Sequence, residues 1–200
     1  MGEIIYQVGI PDQFKEQAVA LYDEAFGRKI SVAIEDDAKR REVLSSCFVL
    51  EHAISALSED RLVGIAGLHT GKGSLTGGAE YKDLVSMLGF IQGNIAALLL
   101  SLYERKPRQG ELVMDGITVL SGYRGRGIGG VLLDKVKEYA LQNGFRSIRL
   151  DVIDTNPRAK VLYERNGFKA VKREEFPYLK KVLGFGGSET MTFNIDVNAQ

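Results

Sequence analysis

The sequence predicts a mixed α/β fold: a twisted mixed sheet of six to seven strands flanked by helices. Two apolar runs, residues 52–57 and 62–68, are joined at Glu59, Asp60 and Arg61 as an antiparallel hairpin. Further on, a strand over 112–119, a helix-periodic run over 130–141 and a strand over 148–153 follow one another. That order folds as a right-handed crossover with its two strands parallel. The 200 residues, 44% of them hydrophobic, suffice for one well-buried core.

Residues 4–10 read as the first strand. After Pro11, Phe14, Ala18, Tyr22 and Phe26 recur every fourth residue and predict a helix with that face inward. A second, more polar helix is expected over 35–43, leading to Cys47, Phe48 and Val49. Cys47 reads there as a small buried hydrophobe rather than a catalytic thiol. The hairpin follows, then a glycine-rich segment over 71–78. Over 81–103, Leu84, Leu88, Ile91, Ile95, Leu98 and Leu102 recur at three and four. They predict a helical stretch bent at Gly89 and Gly93 that packs on the domain or covers a site mouth. Arg105, Lys106 and Arg108 make a basic cluster at its exit, expected to be solvated. In the crossover helix Leu133, Val136 and Ala140 point inward, and Lys135, Lys137 and Glu138 outward. Residues 156–166 predict a short helix closed by Gly167. Strands over 168–172 and 191–197 finish the sheet, joined by a long connection through Pro177 and Gly184. The chain, 1–200, reads as a single domain with a helical insertion at 71–109.

The formal charge of +0 gives no electrostatic case for a nucleic-acid partner. A single cysteine excludes an internal disulfide and agrees with a reducing cytosol. The first residues lack the basic stretch and apolar run of a signal peptide, and the longest apolar run falls far short of the about 20 residues of a membrane span. A cytoplasmic protein with no membrane partner, monomeric or homodimeric, is therefore expected. His52 and His69 show no ligand spacing with Cys47, so no metal is expected.

The most informative segment is Arg124-Gly125-Arg126-Gly127-Ile128-Gly129-Gly130, which joins a strand to a helix. Such a turn leaves backbone N–H groups free to hold an anion, and two arginines can add charge-assisted contacts. A phosphate-bearing ligand is the functional reading, and a plain tight turn the alternative. A Walker loop needs Lys and Ser or Thr after the last glycine, and neither is present. A dinucleotide fingerprint stays open, because Asp151 lies near the distance at which an acid holds a ribose. The antiparallel first half weakens it.

Three separated elements then point to a family. The runs Asp115-Gly116-Ile117-Thr118-Val119, Arg124 to Gly129, and Asn156, Ala159 and Leu162-Tyr163-Glu164-Arg165-Asn166-Gly167-Phe168 together resemble the GCN5-related N-acetyltransferases. This superfamily transfers an acyl group from acyl-CoA to an amine. The resemblance is specific over 112–168 and looser elsewhere. It implies the acyl-CoA N-acyltransferase fold, with a sheet splayed at its middle and the cofactor in the cleft. It implies acetyl-CoA as donor, CoA as product and a small-molecule or peptide amine as acceptor. By the same resemblance, Arg124, Gly125, Arg126, Gly127, Ile128, Gly129 and Gly130 match the pyrophosphate-binding turn. Ile117, Thr118 and Val119 match the strand edge that pairs with the pantetheine arm. Asn156 and Arg158 match positions near the pantetheine and phosphate ends, and Tyr163 matches the tyrosine that protonates the departing thiolate. Ser121 and Gly122 stand where the family often has a proline and a polar residue, so the turn loses a preset φ but no phosphate contact.

Transfer to an amine also needs the amine neutral, and an alkyl ammonium with a pKa of about 10 is nearly all protonated at neutral pH. Glu111, Val113 and Asp115 share one side of their strand by alternation. Asp115 is the candidate base or amine anchor, with Glu111 beside it and Glu35 and Glu51 less well placed. A non-catalytic acyl-CoA-binding sensor or interaction module would use the same turn and remains the alternative function. No motif for amine recognition is readable in the first helices, the insertion or the 173–189 connection.

Overall fold

A computed structural model describes residues 2–101, 106–177, 180 and 184–195. The strands are β1 (Ile4–Val8), β2 (Ala53–Ser58), β3 (Arg61–Thr70), β4 (Gly73–Ser74), β5 (Glu111–Val119), β6 (Ser147–Ile153), β7 (Lys169–Glu175) and β8 (Gly187–Asn194). They form one sheet in the order β1-β2-β3-β5-β6-β8-β7, with the two-residue β4 paired to β3. Neighbours are antiparallel throughout except β5 and β6, which are parallel. The mixed sheet and the parallel β5–α5–β6 crossover are thus as the sequence indicates, with one strand more because of β4.

The helices are α1 (Lys15–Ile30), α2 (Asp37–Cys47), α3 (Tyr81–Leu88), α4 (Phe90–Ser101), α5 (Ile128–Gln142) and α6 (Pro157–Arg165). Their starts follow local chemistry. Asp36 caps α2 by accepting the Lys39 N–H at 2.8 Å, and Asn156 caps α6 by accepting that of Ala159 at 3.2 Å, with Pro157 at the first helical position.

All six residues of β2 are buried, and their side chains alternate between two cores. Ile54 and Ala56 join α5 and the inner strands, with Leu132, Leu133, Val136, Ile148, Leu150 and Met191. Ala53 and Leu57 face α1, with Phe14, Ala18, Tyr22 and Ile65. The sheet is therefore covered on both faces, and β5 runs between the two cores.

The 81–101 segment departs from its expected packing. It forms two helices broken at Gly89, and Ile91, Ile95 and Leu98 are exposed, whereas Ala96 is fully buried. The cause is close approach: a Cβ on Gly93 would lie 2.6 Å from the Val85 Cα, so α4 turns its smallest residues toward α3. Leu84, Leu88 and Ala96 close a third small core with Ala33, Ile34 and Val43. Leu102, Tyr103, Arg105 and Val197 lie outside the described residues. Cys47, expected in a buried interior, is half-buried at the end of α2, and burial pushes its thiol up, which keeps it protonated. Among the described residues no helix is long and apolar enough to cross a membrane.

Candidate active site

The sheet opens where β5 and β6 part. Their parallel pairing runs only from Glu111 opposite Ser147 to Val113 opposite Arg149. Beyond that point β5 stays paired with β3 as far as Val119, and β6 stays paired with β8 as far as Ile153. The edge of β5 through Ile117, Thr118 and Val119 that faces β6 is left with unpaired backbone groups, which an extended ligand can pair with.

The glycine turn closes one end of this cleft. Gly127 caps α5 with φ +81°, a conformation that L side chains rarely adopt, and no side chain caps the helix in its place. A Cβ at Gly125, Gly127 or Gly130 would meet nothing within 4 Å. Open space thus lies before the turn that starts α5, as an anion site at a helix N-terminus requires. The arginines of the turn are engaged by the protein itself. Arg124 donates from Nε to the Val119 carbonyl at 2.8 Å and pairs with Glu24 of α1 at 3.0 Å. Arg126 donates to the Gly122 carbonyl at 2.9 Å and lies over the Tyr123 ring. Both shape the turn, and the helix N-terminus is what remains open to a ligand.

Tyr163 stands on the same side. Its ring is 5% exposed in the core that holds Ile128, the first residue of α5. A Cβ on Gly129 would lie 3.2 Å from Leu162 Cδ2, so the turn and the tyrosine helix abut. Burial pushes the phenol above its ordinary value, which keeps it protonated. Asn156 and Arg158 are exposed at the start of α6.

Asp115 is set apart from these groups by a β-bulge. Gly67 pairs with Gly116 and Leu68 with Met114, which leaves Asp115 as an extra residue on β5. The bulge reverses the alternation. Leu112 and Met114 face the α5 core before it, and Ile117 and Val119 face the same core after it. Asp115 points to the α1 side, where its Cβ would be 3.2 Å from one on Gly67. Phe26 of α1 closes over the bulge: a Cβ on Gly116, at φ +149°, would be 2.5 Å from its ring. Burial pushes the Asp115 carboxyl up to about 7, and Oδ2 is buried with no hydrogen-bond partner among the described residues.

Other carboxylates are committed elsewhere. Glu111 is buried, accepts the Arg108 N–H at 3.1 Å and faces Arg149 at 3.5 Å. Asp151, the acid of the dinucleotide alternative, accepts the Thr190 hydroxyl at 2.6 Å inside the sheet. Glu35 and Glu51 are exposed. A groove of about 800 Å³ runs between α1 and the β2–β3 turn, past Gln17, Glu24, Arg28, Arg61 and Leu120, but neither Asp115 nor Tyr163 lines it. In its wall lies a network that the polarity of α2 did not reveal. Arg40, 6% exposed, donates to Asp23 at 2.6 Å. Burial alone would raise Asp23, but Arg40 and Arg41 outweigh it and hold the carboxyl below its ordinary value. His69, which enters the sequence reading only as a possible metal ligand, has Nδ1 3.8 Å from Asp115 Oδ1.

Among solved structures, a GCN5-related N-acetyltransferase from Kribbella flavida is similar with a TM-score of 0.64 at 16% identity, over 96% of this chain and 97% of that one. The ribosomal-protein-S18-alanine N-acetyltransferase of Escherichia coli gives a TM-score of 0.57 at 12% identity, over 99% and 97%. At such identities the likeness is one of fold. In sequence, the bovine thialysine N-epsilon-acetyltransferase is 39% identical over 64 residues, 32% of this chain and 38% of that protein. An uncharacterized N-acetyltransferase, YhfO of Bacillus subtilis strain 168, is 37% identical over 57 residues, 28% of this chain and again 38% of the relative. The matched stretch thus spans well under half the length of these curated relatives. The profile of the acetyltransferase (GNAT) family extends much further, from residue 16 to residue 168, and takes in α1, the splayed strands, the glycine turn and α6. By that match the chain belongs to the acetyltransferase (GNAT) family.

Proposed function

We propose that the chain transfers an acetyl group from acetyl-CoA to the primary amine of a small molecule or peptide, by direct attack of the amine. The observation that carries this reading is the splayed cleft. One open strand edge and one open helix N-terminus lie along it, with a buried phenol on one side of β5 and a buried carboxyl on the other.

The residues present fit acetyl-CoA. The space in front of Gly125, Gly127 and Gly130 admits a pyrophosphate against the N–H groups of α5, and the free edge at Ile117, Thr118 and Val119 suits an amide-bearing arm. Asn156 and Arg158, exposed at the start of α6, flank that arm in this reading. When bound, the donor supplies an activated thioester. Asp115 takes the proton from the amine, directly or through water. With its carboxyl pushed up to about 7 it is a stronger base than an ordinary carboxylate, yet ionised in a fair part of the chain at neutral pH. Tyr163 serves the leaving sulfur. An alkyl thiol ionises near ~8.5, below a phenol, so complete proton transfer from a buried tyrosine runs uphill. Hydrogen-bond donation with partial proton transfer is the larger part of its role, and its hydroxyl accelerates turnover without being indispensable.

The bovine relative is named for acetylating the epsilon amine of thialysine, which favours a free alkyl amine as acceptor. Thiol release from acetyl-CoA should therefore depend on added amine across a panel of diamines, lysine analogues and short peptides. Binding of CoA with no thiol release for any of them would instead support the sensor alternative.

A further inference from the structure

The β5 bulge brings a second ionisable side chain to Asp115. In the antiparallel pairing of β3 with β5, His69 lies opposite Val113. Asp115, two residues further on, is its diagonal neighbour on the same side of the sheet, a relation within reach of long side chains. The two side chains are 17% and 16% exposed, and Nδ1 of His69 stands 3.8 Å from Oδ1 of Asp115. That is beyond hydrogen-bond length but well inside the range at which each group alters the other's protonation. Oδ2, the other carboxyl oxygen, is sealed from solvent. A proton collected there needs a way out, and His69 lies one residue from the end of β3, opposite Ser74 of β4.

We propose that His69 is the positioning residue of Asp115: its imidazole sets the charge held by the carboxyl and passes the amine proton on to solvent. The proposal rests on the transferase reading. The amine N–H bond breaks toward Asp115, and its electron pair becomes the attacking lone pair on nitrogen. The carboxyl proton then moves to Nδ1 of a neutral His69, whose Nε2 proton leaves to water; proton exchange with solvent then returns the imidazole from its Nδ1–H to its Nε2–H tautomer, and the pair is back in its starting state. Tyr22 of α1 is raised by burial first, then by the charges of Asp115 and of Cys47 on α2. Ser74 on β4 carries no charge, and among the described residues no Lys or Arg forms an ion pair with Asp115. Among the described residues, His69 is thus the one basic side chain paired with this carboxyl.

Two arms test the idea. The chain has two histidines, so ring resonances in an NMR pH titration are assigned with a single His52→Gln variant. In Asp115→Asn the His69 midpoint should fall by about half a pH unit or more, because the anionic partner that favours the imidazolium is gone, while His52 stays put. An unmoved His69 midpoint overturns the proposal, whatever the protein does to amines. The second arm is the pH profile of kcat/KM with a competent amine. His69→Gln cannot carry charge, so its acidic limb should move up by about half to one pH unit, with KM for acetyl-CoA unchanged and His52→Gln like wild type. A His69→Gln limb that coincides with the wild-type limb also overturns the role. If no amine is acetylated by the wild type, the transferase reading fails, and the NMR arm still decides whether the two side chains are coupled.

Discussion

The two sides of the cleft at β5 present different kinds of atom. Toward α5 and α6 the cleft offers backbone: the unpaired β5 edge that faces β6, a helix N-terminus without a side-chain cap, and glycines with open space before them. Toward α1 it offers side chains: a carboxyl re-aimed by a bulge, an imidazole beside it and two aromatic rings packed around them. Backbone recognition depends on φ and on free space, and tolerates most nearby side-chain changes. Proton chemistry depends on individual side chains and on pH. The difference teaches that donor affinity and turnover should be separable by mutation.

The largest effect expected is on turnover. Asp115→Asn should lower kcat/KM by about 100- to 10,000-fold at neutral pH, the usual range for a lost general base. It should also remove the acidic limb, which in the wild type lies near the carboxyl's raised value of about 7. Steady-state kinetics over a pH series measures both, and a variant that keeps the wild-type limb removes Asp115 from the chemistry. Next, Tyr163→Phe keeps the ring in its core and deletes one hydroxyl. It should cost about 10- to 1000-fold in kcat with little change in acetyl-CoA KM. An unchanged kcat would show that the phenol is packing only.

A third effect sharpens the contrast through stability. Burial raises Asp115 from 3.8 to about 7, so between those values the folded chain holds a proton that the unfolded chain has lost. The sign follows: stability associated with this group is full below about 4, falls as pH rises, and is lost above about 7. Asp115→Asn removes the penalty, so thermal denaturation should find the variant more stable at pH 8, by on the order of 4 kcal/mol, and little different at pH 4. A variant less stable at pH 8 would contradict the burial of a charge there. A smaller effect belongs to the other face. Gly127→Val must hold a β-branched residue at φ +81°, which costs roughly 1–2 kcal/mol and should weaken CoA binding about tenfold. Lys137→Ala, which removes a surface pair with Asp134, should leave it unchanged.

The α5 face was legible in the sequence because its signals are local. The glycine turn, the change from strand to helix period and Asn156 ahead of Pro157 each act within a few residues, and the structure carries all three. The α1 face was legible only in part. Alternation put Asp115 on the side of Val113, which holds as far as the bulge. The bulge itself is a property of two strands in register, and nothing in residues 111–119 alone says that Asp115 lacks an opposite number. The pairing with His69, 46 positions away in sequence order, is hidden for the same reason. The Asp23–Arg40 pair escaped because charge on a helix reads as solvent-facing, and here the helix end turns it inward. In α4 the leucine periodicity pointed the wrong way, since close packing on α3 selects small residues rather than large ones.

The separation of donor binding from proton chemistry is tested most directly by calorimetric titration of CoA into the wild type, Gly127→Val and Asp115→Asn. Binding at micromolar Kd, about −8 kcal/mol, is predicted for the wild type and for Asp115→Asn alike, with a clear loss in Gly127→Val. No heat and no thermal shift with about 1 mM CoA would contradict the account at its base, since 1 mM corresponds to only about −4 kcal/mol. Asp115→Asn weakening CoA as much as Gly127→Val would contradict the separation of the two faces.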